Sequence, residues 1–195
     1  MKPSFAVISI VGRSGSGKGT QANLLGKKTG FTIIKTGDLL RARATKKDAV
    51  GKVVKRALEH DKLMPTPIVF SLWMPLIVKI KNRGKAKGII FDGNPRKMYE
   101  AQMLDELFLM FGWGKNFRVC HIDISEKEAR KRMLKRGRPD DTRENIAARM
   151  AFFTKEVKPM LSYYRKRGVL VEVSGRGAVE DIHKEITRKL RRFLS

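Results

Sequence analysis

An α/β fold with a five-stranded parallel sheet flanked by helices is what this 195-residue sequence predicts. Three observations carry that expectation. Five short runs rich in Ile, Val and Phe are almost continuously apolar, as strands covered on both faces must be. Segments of helical period lie between them, and such alternation gives a parallel sheet. A glycine-rich loop joins the first apolar run to the first helical one.

The first strand is expected over 5–11, ending at Gly12, and the helix-like run 20–28 follows the loop. A second strand is expected at 32–35. The stretch 36–83 is helical and basic, with a turn at Met64, Pro65, Thr66 and Pro67. Strands at 88–91 and 117–124 come next. Beyond them, Ile146, Met150, Phe153, Val157 and Leu161 form one helical stripe, in a helix starting near Asp141 that Pro159 should end or kink. The following helix should run to about Arg167, where Gly168 stops it. A strand at 169–173 and a last stripe of Val179, Ile182, Ile186 and Leu190 complete the chain. Neither a repeat nor a linker divides it, so residues 1–195 read as one domain.

Composition bounds the function. Apolar residues make up 42% of the chain, enough for one real core. Lys and Arg number 43 against 19 Asp and Glu, a formal charge of +24 that favours polyanionic partners. No apolar run has the length of a membrane span, and 5–11 lacks the cleavage pattern of a signal peptide, so a cytoplasmic, soluble protein is expected. Cys120 stands alone, which excludes an internal disulfide and leaves no cysteine pair to clamp zinc.

Residues 12–20 read GRSGSGKGT, between a strand and a helix, which is the P-loop arrangement. Gly12, Gly15 and Gly17 let backbone amides, those of Ser14, Ser16, Gly19 and Thr20 among them, curl around phosphate oxygens, while Lys18 reaches the outer phosphates. The expected architecture is therefore a three-layer fold of P-loop NTPase type. Gly19 occupies the position after Lys18 where many such proteins carry a magnesium-binding Ser or Thr, with Thr20 one residue later. Magnesium is then expected to be held through water near Asp92, the acid that ends the apolar run 88–91. No Asn-Lys-x-Asp base-reading motif points to a GTPase switch.

GRSGSGKGTQA is followed in order by TGDLLR (36–41), FDGNPR (91–96), RMLKR (132–136), RPDD (138–141) and AAR (147–149). In that order and spacing the strings resemble an adenylate kinase over nearly the whole chain. The resemblance implies reversible phosphoryl transfer from MgATP to a nucleoside monophosphate. It divides the chain into a core of about 1–35, 84–136 and 143–195, a monophosphate-binding insertion of about 36–83, and a very short lid at about 137–142. It implies that Lys18 holds the donor phosphates, and that Arg41 and Arg96 grip the acceptor phosphate. Thr36, Gly37, Leu63, Met64, Gly93 and Glu100 would complete the monophosphate site. Arg132 would lie against the donor base, Arg136, Arg138 and Arg149 would converge on the phosphoryl group in flight, and Asp38 and Asp92 would order the waters around Mg2+. Asp140 and Asp141 would help to latch the lid, which is too short to carry zinc. A monomer is expected.

Arginine suits such a site for a physical reason. Phosphoryl transfer spreads negative charge over the equatorial oxygens, and a planar guanidinium offers two parallel donors while staying charged. No general base is needed, and His60, His121 and His183 lie outside the motifs. His121 is expected on a strand, and His60 and His183 on solvent-facing helix surfaces.

Several positions depart from the family pattern. Glu100 stands where members usually have a Gln that reads the acceptor adenine; a carboxylate offers only acceptors, matching adenine less well than guanine. Gln102 nearby could serve the base instead, and Glu100 could equally face solvent. AMP remains the favoured acceptor, with GMP, CMP or UMP as alternatives. Arg13 and Ser14 replace a small residue and a Pro, and Asn94 replaces a common aromatic. Setting aside Lys18 and six arginines, basic residues still outnumber acidic ones by roughly two to one, so substrate binding does not account for the charge. Non-specific RNA or other polyanion binding is expected from that excess, and an RNA- or ribosome-associated nucleotide-binding protein is the reading from another class.

Overall fold

The computed structural model of the chain describes residues 5–59 and 64–194. Its strands are β1 (Ala6–Gly12), β2 (Thr32–Lys35), β3 (Gly88–Asp92), β4 (Phe117–Asp123) and β5 (Leu170–Ser174), each within a residue of its expected bounds. They form one parallel sheet in the order β2-β3-β1-β4-β5. Because β1 has β3 on one side and β4 on the other, the strand order reverses at its C-terminal end. Such a switch point opens the crevice in which α/β sheets bind ligands.

Two layers cover the sheet. On one face α1 (Lys18–Thr29) and α9 (Val179–Leu190) bury Ala22, Leu25, Ile182, Ile186 and Leu190 against Ile8, Ile10, Ile90, Cys120 and Ile122. On the other, Val7, Val11, Phe91, Phe117 and Val119 meet α4 (Thr66–Arg83), α5 (Met98–Met110) and α8 (Lys158–Lys166) through Trp73, Ile77, Leu104, Phe108, Leu161 and Tyr164. Within the stretch 36–83, α2 (Thr36–Ala44) and α3 (Ala49–Glu59) precede α4. The inner face of α4 belongs to the main core: Trp73 packs edge-on to Phe91 and donates its indole N–H to the Thr36 hydroxyl at 2.9 Å. A third, small cluster joins α6 (Glu126–Arg136) and α7 (Arg143–Phe152) through Ala129, Met133, Ile146 and Met150.

Three local expectations need correction. Thr66 and Pro67 already belong to the first turn of α4, where proline's fixed φ and missing N–H cost nothing, so the turn ends at Pro65. Pro159 does not break its helix either. The chain passes from α7 through a π-helical turn, Phe153–Val157, into α8, whose first turn holds Pro159. The wider turn relieves the clash that a proline ring makes with the carbonyl four residues earlier. His183 is half-buried beside Gln21, with Nδ1 3.2 Å from its Oε1, while His121 lies buried on β4 as expected. The reading of His60 falls outside the described residues. Among the described residues, no helix is long and apolar enough to cross a membrane.

Candidate active site

The loop after β1 and the turn after β3 meet at Lys18. Its ammonium donates to the Arg13 carbonyl at 3.3 Å, and the Ser16 amide donates to the same oxygen at 3.1 Å, so the loop closes on itself. The Lys18 pKa is lowered to about 8, by burial first and by the charge of Arg96 next, with Arg136 and Arg149 adding to the effect and Asp92 opposing it. These groups come from the β3–α5 turn, α6, α7 and the end of β3, and all of them act on one ammonium. Asp92 lies against the first turn of α1, where a Cβ on Gly19 would stand 3.2 Å from its Oδ2. A side chain at residue 19 would press on that carboxylate.

The β3–α5 turn aims Arg96. Gly93 has φ 79°, and a Cβ there would stand 3.0 Å from Arg96 Nη2 and 3.1 Å from Lys18 Cε. Only glycine lets the two cations flank this backbone. Arg96 Nε donates to the Gly93 carbonyl at 2.6 Å, and the Arg96 amide donates to Glu100 Oε2 at 2.8 Å. Asn94 Nδ2 donates to the same Glu100 oxygen at 3.3 Å, while Ser9 Oγ donates to the Asn94 carbonyl at 2.7 Å. Glu100 is therefore 2% exposed and fastens the turn; it does not face solvent.

A second group of arginines surrounds Asp141, whose side chain is 1% exposed. Arg136 grips it with two bonds of 2.9 and 2.6 Å, Arg149 Nη1 donates at 2.9 Å, and the Arg138 amide donates at 3.2 Å. Arg149 also donates to Asp140 Oδ2 at 2.6 Å. The Arg136 hydrogen bond holds the Asp141 carboxyl below the usual range. Burial pushes Asp140 up, but its bond and charge pairing with Arg149 outweigh that. The loop between Gly137 and Thr142 is thus tied at both ends. The Arg138 side chain is exposed.

Other expected residues are spread around this centre. Arg132 donates to Glu128 Oε1 at 2.7 Å and to the Gly175 carbonyl at 3.0 Å, reaching the β5–α9 loop. Asp38 is ion-paired with Arg41 on the exposed face of α2, and the Gly37 backbone lies against the Arg41 guanidinium. The Thr36 hydroxyl is turned into the core toward Trp73. Met64 is buried, with its carbonyl accepting from Lys97 Nζ at 3.0 Å; Leu63 lies outside the described residues. Among the described residues, no three His, Cys, Asp or Glu side chains gather in a way that could hold a metal.

Sequence reasoning missed Ser9, Lys97 and the anchoring of Arg13. Ser9 had a signal, being the one polar residue inside an otherwise apolar strand. Lys97 had none, because its partner is a backbone carbonyl 33 residues away.

The family profile described as adenylate kinase matches residues 10–169. The chain belongs to the adenylate kinase family. It is 34% identical over 187 residues to the adenylate kinase of Azobacteroides pseudotrichonymphae, covering 94% of this chain and 96% of that one. To the pig (Sus scrofa) adenylate kinase isoenzyme 1 it is 31% identical over 189 residues, covering 94% and 93%. The adenylate kinase of Thermus thermophilus is 32% identical over 187 residues, covering 94% and 96%. The β1–α1 loop and the β3–α5 turn both fall inside the matched residues.

Proposed function

We propose that the chain transfers the terminal phosphoryl group of MgATP to AMP, reversibly, giving two ADP. The observation that carries this reading is the convergence of Arg96, Arg136, Arg149 and Asp92 on Lys18, where the donor-side loop meets the acceptor-side turn. Donor phosphates lie along the loop amides 14–20 with Lys18 on the outer ones, and Arg132 lies beside the donor base. Arg96 and Arg41 take the acceptor phosphate. Fixed cations on both sides of the transferred group stabilise its spreading charge without reorganising, which is the main catalytic resource in such a transfer.

The low pKa of Lys18 fits this work. Burial first, and the charges of the neighbouring arginines second, disfavour its ammonium, and arriving polyphosphate offsets that cost. Asp140 and Asp141 hold Arg136 and Arg149 in the meantime. In this reading residues 137–142 are a lid whose closure expels water and protects ATP from hydrolysis.

The residues present fit a water-bridged magnesium ion: Asp92 offers one carboxylate at the first turn of α1 and Gly19 leaves it room. Asp38 is the weaker of the two expected holders, being engaged with Arg41. When bound, the ion neutralises charge on the donor phosphates.

AMP is favoured over GMP, CMP and UMP because the Glu100 oxygen that accepts from Arg96 and Asn94 is occupied in the turn, which weakens the argument for a guanine-selecting carboxylate. Incubation with MgATP and AMP, followed by chromatography, tests the reaction: two ADP should appear for each AMP consumed. Unchanged AMP would refute it. The +24 charge supports an additional, sequence-blind affinity for RNA and other polyanions. RNA retention that falls steeply with salt and ignores sequence is the expected result, and salt-resistant, sequence-selective binding would refute it. The protein should sediment as a monomer in the cytoplasmic, soluble fraction.

A further inference from the structure

The β1–α1 loop carries an arginine whose side chain reaches out to Asp123, Ile124 and Phe153 while its carbonyl faces Lys18. The Arg13 side chain is 13% exposed. Its Nη1 donates to the Ile124 carbonyl at 2.9 Å and to Asp123 Oδ1 at 3.3 Å, and its guanidinium carbon lies 4.1 Å from the centre of the Phe153 ring. The main chain of the same residue works on the other side of the loop, where its carbonyl accepts from both the Ser16 amide and the Lys18 ammonium.

These contacts reach two separate elements. Asp123 and Ile124 lie at the end of β4 and just beyond it. Phe153 opens the π-helical turn that continues α7, the helix bearing Arg149. The guanidinium also borders a cleft of ≈ 390 Å³ behind the loop, shared with His121 and Lys158. It therefore stands outside the ring of groups around Lys18. An exposed ion pair with Asp123 alone would contribute little, since that carboxylate is 60% exposed. A carbonyl bond and a desolvated ring stack are added to it here, and a planar guanidinium can make all three at once where an ammonium cannot.

We propose that Arg13 is a positioning residue for the donor nucleotide: its side chain moors the phosphate loop to β4 and to the turn after α7, and so fixes the carbonyl that aims Lys18. The proposal rests on the reading of this loop as the donor-phosphate site. The acceptor side is built on different elements, α2 and the β3–α5 turn, so loosening the loop should act on one substrate and spare the other.

The test measures equilibrium binding of MgATP, and separately the KM for AMP, in the wild-type protein and in Arg13→Ala, Arg13→Lys and Phe153→Leu. Arg13→Ala should weaken MgATP binding on the order of tenfold, about 1.4 kcal/mol, with the KM for AMP within about twofold of wild type. Arg13→Lys should recover only part of the loss. Phe153→Leu keeps both hydrogen bonds and should weaken MgATP binding about two- to threefold. Guanidinium ion at non-denaturing concentration should restore MgATP binding to Arg13→Ala and leave the other variants unchanged, a response that general loss of stability does not give. Wild-type affinity in Arg13→Ala, or donor and acceptor affinities falling together, would overturn the proposal. If circular dichroism shows that Arg13→Ala does not fold, Arg13→Lys and Phe153→Leu decide, and wild-type MgATP affinity in both overturns it. A wild-type protein that does not bind MgATP would defeat the donor-site reading itself, which separates the two failures.

Discussion

Lys18 should take up a proton when the donor nucleotide binds, and the uptake should grow with pH. The free protein holds its pKa at about 8, through burial first and the neighbouring arginines second. Polyphosphate replaces that repulsion with attraction, which returns the pKa to at least its ordinary range. Near pH 7 about a tenth of the free lysines are neutral, at pH 8 about half and at pH 9 about nine-tenths, so uptake rises from about 0.1 to about 0.9 proton per nucleotide. Over the same range the apparent affinity for MgATP should fall about tenfold, or about 1.4 kcal/mol. Linkage also sets the sign for folding. The unfolded chain binds more protons between about pH 8 and the ordinary lysine pKa, so this group makes the ligand-free protein more stable as pH rises through that window. Several shifted groups lie away from Lys18: burial lowers His121 and His183, pushes Cys120 up to about 12 and raises Tyr164 well above its usual range. Titration calorimetry in buffers of different ionisation enthalpy counts the protons, with Lys18→Arg as the non-titrating control. Uptake that is flat from pH 7 to 9, or an equal slope in Lys18→Arg, would refute the reasoning.

Three further outcomes follow from the geometry. Glu100→Ala leaves the Arg96 amide and the buried Asn94 side-chain amide without their shared acceptor and should cost about 1–3 kcal/mol in denaturant unfolding. Glu100→Gln keeps an acceptor there and should leave the ranking of acceptor nucleotides unchanged; a reordered ranking would return Glu100 to the base. Asp141→Asn weakens the hold on Arg136 and Arg149 and should cost about 2–4 kcal/mol at neutral pH. Because the native Asp141 pKa is depressed, that contribution should persist above the ordinary carboxylate pKa and disappear as pH falls below it, so wild type and Asp141→Asn should converge in acid. Arg96→Ala should lower kcat/KM by an amount equivalent to about 2–4 kcal/mol; turnover near wild type would remove Arg96 from the acceptor site.

The sheet was legible because its signals are local. Strands covered on both faces are mostly apolar, and the five apolar runs matched the strand bounds to within a residue at each end. The phosphate loop was legible for a similar reason, since backbone wrapping around phosphate requires glycines at fixed spacing. Glu100 was not. Its direction depends on a tertiary turn that leaves an Arg96 amide in need of an acceptor, and the sequence of α5 carries no trace of that need. Arg13 and Phe153 lie 140 positions apart and meet only because a π turn brings the ring under the loop. Pro159 announced a disturbance, but whether it would break the helix or widen one turn was decided by the packing of Phe153 and Val157 into the core.

This arrangement of loop, turn and arginines should phosphorylate AMP. Chromatographic separation of products, after mixing the purified protein with MgATP and in parallel with AMP, GMP, CMP, UMP or dTMP, tests it most directly. ADP should form from AMP far faster than the other diphosphates form from their monophosphates. Faster phosphorylation of another acceptor, or no reaction with any of the five, would contradict it.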